Sequence, residues 1–276
     1  MNQVKVKIFR LDNLINACFN VYQEIGMQVG EPRTILLRKI ISNLECINEL
    51  LTEQFTHEIL IILRSAIETI ILFCYLTTHL DKEQEYILDS ELLELKNTFI
   101  LVKNWKKDID TESVVNLDLQ EAFSYHEEIF NKHLSQENKE YVLKKLNLKE
   151  YKLTLENLNN IDSFFRNDKR IKKPFFMNIE QMLAELPKFE EIGAELRDLI
   201  YSDYNLNSQV THGQYHLWSR GLVIEERFLK QVKSQIVKVV TYPLFFLKGQ
   251  VKIDLNNLAK LKSITDQLII DIYKYH

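Results

Sequence analysis

Arg64 and Glu68 stand four residues apart inside the most apolar stretch of the chain, ILIILRSAIETIILFCYL, Ile59 to Leu76. A guanidinium can hold an anion or steady developing negative charge, and a carboxylate can take or give a proton. On a helix, His57, Ile61, Arg64, Glu68, Ile71 and Tyr75 fall on one narrow stripe. His57, Arg64, Glu68 and Tyr75 all carry polar groups, so an apolar helix has a polar seam. A second set comes far downstream in ELRDLIYSDYNLNSQVTHGQYHLWSR. There Arg197, Tyr201, Tyr204, Ser208, Thr211 with His212, and Tyr215 recur at spacings of three and four. Leu196, Leu199, Leu206, Val210, Leu217 and Trp218 form the opposite, core-like face. Tyrosine suits a half-buried surface that needs one polar handle, so this stripe reads as a pocket or interface lining rather than a solvated face.

Within that stripe, Ser208 and His212 are i,i+4 neighbours. His212 is the candidate general acid/base or pocket anchor. Ser208 stands in no GxSxG elbow, which argues against a serine nucleophile. His212 and His216 make an HxxxH pair, but no HExxH glutamate accompanies it and no ExxH helix of di-iron type is present. No metal and no cofactor are therefore expected. The candidate catalytic set is His212, Arg64, Glu68 and Ser208. His57, Tyr75, Arg197, Tyr201, Tyr204 and Tyr215 are the pocket-lining candidates.

FFRNDKRIKKPFF, Phe164 to Phe176, places Arg166, Lys169, Arg170, Lys172 and Lys173 between two phenylalanine pairs. Cations neutralise phosphates and aromatic rings stack on bases, so the tract is a candidate single-strand RNA contact. The competing reading is a solvated linker whose phenylalanines anchor its ends in the core.

The elements that must position these residues are helices. Glycine and proline number 6 and 4 in 276 residues, far below the roughly 12% usual in proteins. A sandwich or a Rossmann sheet needs more turns than that, so the fold class is all-α: a multi-helix bundle with a buried central helix carrying the Arg-x-x-x-Glu pair. Periodicity predicts helices over Phe9–Ile25, over Arg33–His79 as two helices joined near Gln54–His57, and over Lys82–Lys103. Further helices are expected at Leu117–His133, Glu137–Leu146, Leu148–Phe165, Ile179–Leu186, Phe189–His216, Phe228–Lys248 and Leu255–Tyr275, with a loop at Lys106–Asn116. The chain reads as a single helical domain, 1–276, divisible at the basic linker 166–174 and ending in the helical pair 228–276.

The apolar run is long enough for a membrane span, but inserting a central Arg and a central Glu costs roughly 5 kcal/mol or more. No membrane span is expected. The opening MNQVKVKIFRLDNL lacks the apolar core of a signal peptide, and Cys18, Cys46 and Cys74 read as buried free thiols. Both point to the cytoplasm. A formal net charge of -4 argues against a dedicated nucleic-acid coat but leaves room for a local basic patch.

RSAIETIILFCYL, the tract KKPFFMNIEQM and then YSDYNLNSQVTHG resemble a mostly bacterial helical family known as domain of unknown function 5677, over about Leu37 to Trp218. The corresponding positions are Arg64, Glu68 and Tyr75, then Tyr201 or Tyr204, Ser208 and His212. The resemblance implies an all-α fold and no established activity. Metal-free ribonucleases of bacterial conflict systems carry an Arg and a His on one helix. Here Asn205, Leu206 and Asn207 stand where that basic residue would be, so Arg64 must supply the cation from another helix. Two functions stay open. One is a regulatory or defence-associated module that binds a small ligand or protein partner in a polar pocket between the Arg64/Glu68 and Ser208/His212 helices. The other is a metal-independent ribonuclease using His212 and Arg64. The aromatic end IDIYKYH adds a homodimer as an expected partnership.

Overall fold

The computed structural model describes residues 9–53, 55–109, 116–172, 179–186, 202–205, 207, 226–247 and 249–273. These residues are all-α, and no strand occurs among them. The chain divides into two compact units, residues 1–80 with 178–276, and residues 81–177.

The first unit is built on α1 (Asp12–Gly26), α2 (Glu31–Glu53) and α3 (Thr56–Thr78), to which α9 (Ile179–Glu185), α10 (Glu226–Phe246) and α11 (Leu255–Tyr273) are added. Leu14, Ala17, Cys18, Val21, Tyr22 and Ile25 recur at helical spacing on α1 and are buried, so one face of that helix makes core. α1 turns into α2 at Gly26, where an added Cβ would come within 3.1 Å of Thr34 Cγ2. Thr34 Oγ1 donates to the Gly26 carbonyl at 3.0 Å, tying the two helices at that close approach. Asn48, buried on α2, accepts from Leu11 N at 2.8 Å and donates to Asp12 at 3.1 Å, which satisfies the start of α1.

α3 is the centre of this unit, packed by α2, α9 and α10. It is also the one described helix long and apolar enough to cross a membrane, judged by length and composition. Two thirds of its apolar window (67%) is buried inside the fold, as in a core helix. Its burial is not uniform: Leu63, Ala66, Ile67, Ile70, Phe73 and Cys74 are buried, whereas His57, Ile61, Arg64, Glu68 and Leu72 form a half-buried strip. The charged pair therefore sits on the least covered side of the most covered helix.

The second unit surrounds α4 (Glu83–Ile109), which packs with α5 (Asn116–Glu128), a π-helical turn (Ile129–His133), α6 (Gln136–Leu146) and α8 (Lys169–Lys172), while α7 (Leu158–Asn167) joins α6 and α8. Its core is Leu92, Leu95, Phe99, Phe130, Val142, Ile161 and Phe165 with their neighbours. Ser135 caps α6 by accepting from Asn138 N, and Asn147 closes it in the left-handed conformation at φ 55.

Four expectations are corrected. Leu148–Phe165 is not one helix: helix begins only at Leu158. Tyr151 and Leu153 are buried while Lys152 and Thr154 are exposed, the alternation of extended chain, and Thr154 and Asn157 then cross-bond a turn. α4 continues to Ile109, so the start of the expected 106–116 loop is helical. The basic linker begins as the tail of α7 and the turn of α8, because Asp168 caps that turn by accepting from Arg170 N at 3.0 Å and Ile171 N at 3.4 Å. Of the thiols, Cys18 and Cys74 are buried but Cys46 is exposed.

Candidate functional site

Arg64 is held from two directions. Its Nε donates to Glu68 Oε1 at 3.0 Å, the i,i+4 pairing that helical geometry dictates. Its Nη2 donates to Tyr204 Oη at 3.4 Å, and its Cζ lies 5.3 Å from the centre of the Tyr204 ring, within cation–π range. One tyrosine thus offers the guanidinium both its hydroxyl and its ring. The Arg64 side chain is 18% exposed and that of Glu68 39%. An ion pair of that exposure, with Arg on the N-terminal side where Glu would be better placed, contributes no more than about 0.5 kcal/mol to the fold.

What Arg64 and Glu68 leave over is chemically the more telling. Among the described residues, Arg64 Nη1 donates to nothing and Glu68 Oε2 accepts nothing. An unused donor and an unused acceptor thus remain on the same half-buried strip. That arrangement suits a group offering a carboxylate or phosphate oxygen to Arg64 and a hydroxyl or N–H to Glu68.

Tyr204 is positioned by its own segment. Residues 202–205 and 207 are helical, and the segment is fixed to α10 on either side of Tyr204. Lys238 bonds to the Asp203 carboxylate, and Asn207 Nδ2 donates to Gln235 Oε1 at 2.9 Å. Asn207 and Gln235 are almost wholly buried. Tyr242, one turn further along α10, has its hydroxyl pKa pushed up by burial first and then by Cys74 and Asp203. Burial also raises the thiol pKa of Cys18 and Cys74, so neither is a reactive thiolate.

Tyr75 belongs to a different place. It lies about 16 Å along α3 from Arg64 at the usual helical rise. Its ring is buried and its hydroxyl donates to Glu185 Oε2 at 3.0 Å. His79 stacks on Tyr75 with ring centres 4.3 Å apart, and its Nε2 is 4.0 Å from the same Glu185 oxygen. His57 is half-buried in the first turn of α3. Ser208, His212, Arg197, Tyr201 and Tyr215 lie outside the described residues.

In the basic tract, Arg170 donates to Asp89 from Nε at 3.3 Å and Nη2 at 3.1 Å, and to Asn138 from Nη1 at 3.5 Å, with its Cζ 4.8 Å from the Tyr141 ring centre. Arg166 is exposed and pairs with Asp162 at 2.9 Å. Lys169 and Lys172 are exposed, and Lys173 lies outside the described residues. Phe164 and Phe165 are buried in the core of their unit.

Sequence reading missed Asp203, Asn207, Gln235 and Lys238, together with His79 and Glu185. A signal existed for two of them: Gln235 and Lys238 interrupt an apolar helix containing Val232, Ile236, Val239 and Val240, just as Arg64 and Glu68 interrupt α3. No group of three His, Cys, Asp or Glu side chains able to hold a metal ion occurs among the described residues. No family model matches the chain, and no curated protein and no solved structure matches it with significance.

Proposed function

We propose that the chain is a ligand-binding regulatory module whose site is the half-buried strip of α3 at Arg64, Glu68 and Tyr204. The supporting observation is that Arg64 keeps an unused donor and Glu68 an unused acceptor on the same half-buried strip, while Tyr204 holds the guanidinium. A site ordered before its ligand arrives loses less entropy on binding. The ligand class that matches is a small polar molecule, or a side of a partner, with an anionic oxygen and a hydroxyl or N–H a few ångströms apart. A ribose phosphate fits that description. The bacterial and defence-associated setting, the kinship with domain of unknown function 5677 and the cytoplasmic location belong to the same proposal and rest on the sequence alone.

A metal-independent ribonuclease is the second reading. It is supported by the same Arg64–Tyr204 contact, because Tyr204 stands eight residues before His212 in the stretch that carries the candidate base. In that reading Arg64 stabilises the phosphate and His212 handles the 2′-hydroxyl proton.

One experiment separates the two. The full chain, Arg64→Gln and His212→Ala are titrated with ribonucleoside 5′-monophosphates by calorimetry and incubated with labelled RNA in EDTA. Saturable binding that Arg64→Gln abolishes, without RNA cleavage, is the expected result. RNA cleavage lost in His212→Ala establishes the enzyme instead. Neither binding nor cleavage by wild-type protein overturns the site as proposed.

A further inference from the structure

α11 turns Leu261, Thr265 and Leu268 into the core, where it packs on α1 and α10. The same helix carries a second row that the fold leaves uncovered. Leu255, Ala259, Lys262, Asp266, Ile269 and Tyr273 follow one another at steps of four, three, four, three and four, the seam spacing of a coiled coil. All six are exposed, Leu255 to 79% and Tyr273 to 68%. A solvated helix face has no need of a leucine, an isoleucine and a tyrosine at seam positions.

The row is self-complementary when reversed. Its midpoint falls between Lys262 and Asp266. A two-fold axis through that midpoint, perpendicular to the helix, lays α11 of a second copy antiparallel to the first. Leu255 then meets Tyr273 of the second copy, Ala259 meets Ile269, and Lys262 meets Asp266, each pairing occurring twice. A parallel, in-register arrangement would instead set Lys262 against Lys262 and Asp266 against Asp266. Charged residues at seam positions lower stability but fix orientation and register, and here they select the antiparallel one. Within the chain, neither Lys262 nor Asp266 forms an ion pair among the described residues, although they are i,i+4 neighbours. Beside the row runs an apolar groove of about 690 Å³ lined by Leu244, Phe245, Val251, Ile253, Leu258 and Ile269, which widens the contact beyond a single helix pair.

We propose that the chain self-associates as a two-fold dimer through antiparallel pairing of α11, with reciprocal Lys262–Asp266 ion pairs at its centre. This surface is independent of the α3 site. The test is sedimentation velocity of the full chain over a concentration series. Wild type is expected to shift from monomer to dimer as concentration rises. Lys262→Asp and Asp266→Lys each place like charges opposite one another, weakening the dimer by roughly a hundredfold. The double swap Lys262→Asp with Asp266→Lys restores opposite charges and with them the dimer. Far-UV circular dichroism of the three variants matches wild type, since both positions are exposed. A wild-type chain that stays monomeric at every concentration overturns the proposal. So does a dimer that both single variants leave intact, or a loss that the double swap does not repair.

Discussion

Arg170, in the unit of residues 81–177, and Arg64, in the other unit, are assembled from the same parts. Each guanidinium lies against a tyrosine ring, Tyr141 at 4.8 Å and Tyr204 at 5.3 Å, and each is paired with a carboxylate. The difference lies in what remains. Arg170 spends Nε and Nη2 on Asp89 and Nη1 on Asn138, and the Asp89 side chain is only 5% exposed. Asn138 also donates to Glu91 Oε2 and the Leu88 carbonyl, so the network closes on itself. Arg64 keeps one nitrogen in hand, and its Glu68 partner is 39% exposed. The same residue types can lock a fold or leave a site ready. Unspent hydrogen-bonding capacity at a half-buried position tells them apart, not the presence of an arginine or a charge pair.

The comparison breaks most visibly at Arg170. Arg170→Ala removes the guanidinium that pairs with the buried Asp89 carboxylate and is expected to cost about 3–5 kcal/mol, read from denaturant unfolding. Loss below about 1 kcal/mol would mean the Asp89 network is not structural, and Arg170 would return to the candidates for RNA contact.

His126 sharpens the picture of the same unit as a place of finished hydrogen bonds. It is fully buried, with Nδ1 at 2.7 Å from Thr98 Oγ1 and Nε2 at 2.7 Å from Tyr151 Oη. Burial pushes its pKa down to about 3, so it is neutral in the folded chain over the whole range in which an unfolded histidine titrates. The unfolded state therefore binds more protons below about pH 6.5, and stability rises with pH through that window. His126 contributes no loss above about pH 6.5; stability falls from there toward about pH 3. Lowering the pH from 6.5 to 5 is expected to remove about 2 kcal/mol, and His126→Asn should flatten that slope. A histidine resonance in the wild type that stays neutral below pH 5 by NMR is the direct check.

A smaller effect belongs to the cap of α6. Ser135→Ala removes the acceptor of Asn138 N and the hydroxyl that donates to Glu91 at 2.7 Å, with an expected loss of about 1 kcal/mol in the same unfolding measurement. Ser135→Asp should not rescue it, because the nearby Glu91 carboxylate would then face a second negative charge.

Elements with strong periodicity were legible in the sequence. The break between α2 and α3 and the short helix at Ile179 follow from apolar spacing, and the central place of α3 follows from its apolar run. Local competition was not legible. Residues 148–157 hold enough leucine to read as helix, yet Asn147 takes the left-handed conformation and Tyr151 and Leu153 are drawn into the core on alternate sides of the chain. The site divides in the same way. That Arg64 and Glu68 share a face is helical geometry and needs no structure. That Tyr75 serves Glu185 and His79 rather than Arg64 depends on where α9 packs, and that Asp203 and Asn207 reach Lys238 and Gln235 depends on α10. Contacts of that kind have no local signature.

Arg64 itself supplies the smallest stability effect and the sharpest test of the comparison. Arg64→Gln gives up an i,i+4 ion pair of modest worth and a cation–π contact at a half-buried position, together under about 1 kcal/mol. Glu68, at 39% exposed, can turn to water once its partner is gone, which Asp89 cannot do. The two arginine variants should therefore separate in opposite directions. Arg170→Ala loses folding while Arg64→Gln keeps it and loses binding of the ribonucleoside monophosphate probe. If Arg64→Gln instead unfolds the chain as severely as Arg170→Ala, then Tyr204 and Glu68 hold Arg64 for the sake of the fold. The unspent nitrogen would then be incidental, because an arginine kept for binding should be dispensable to folding.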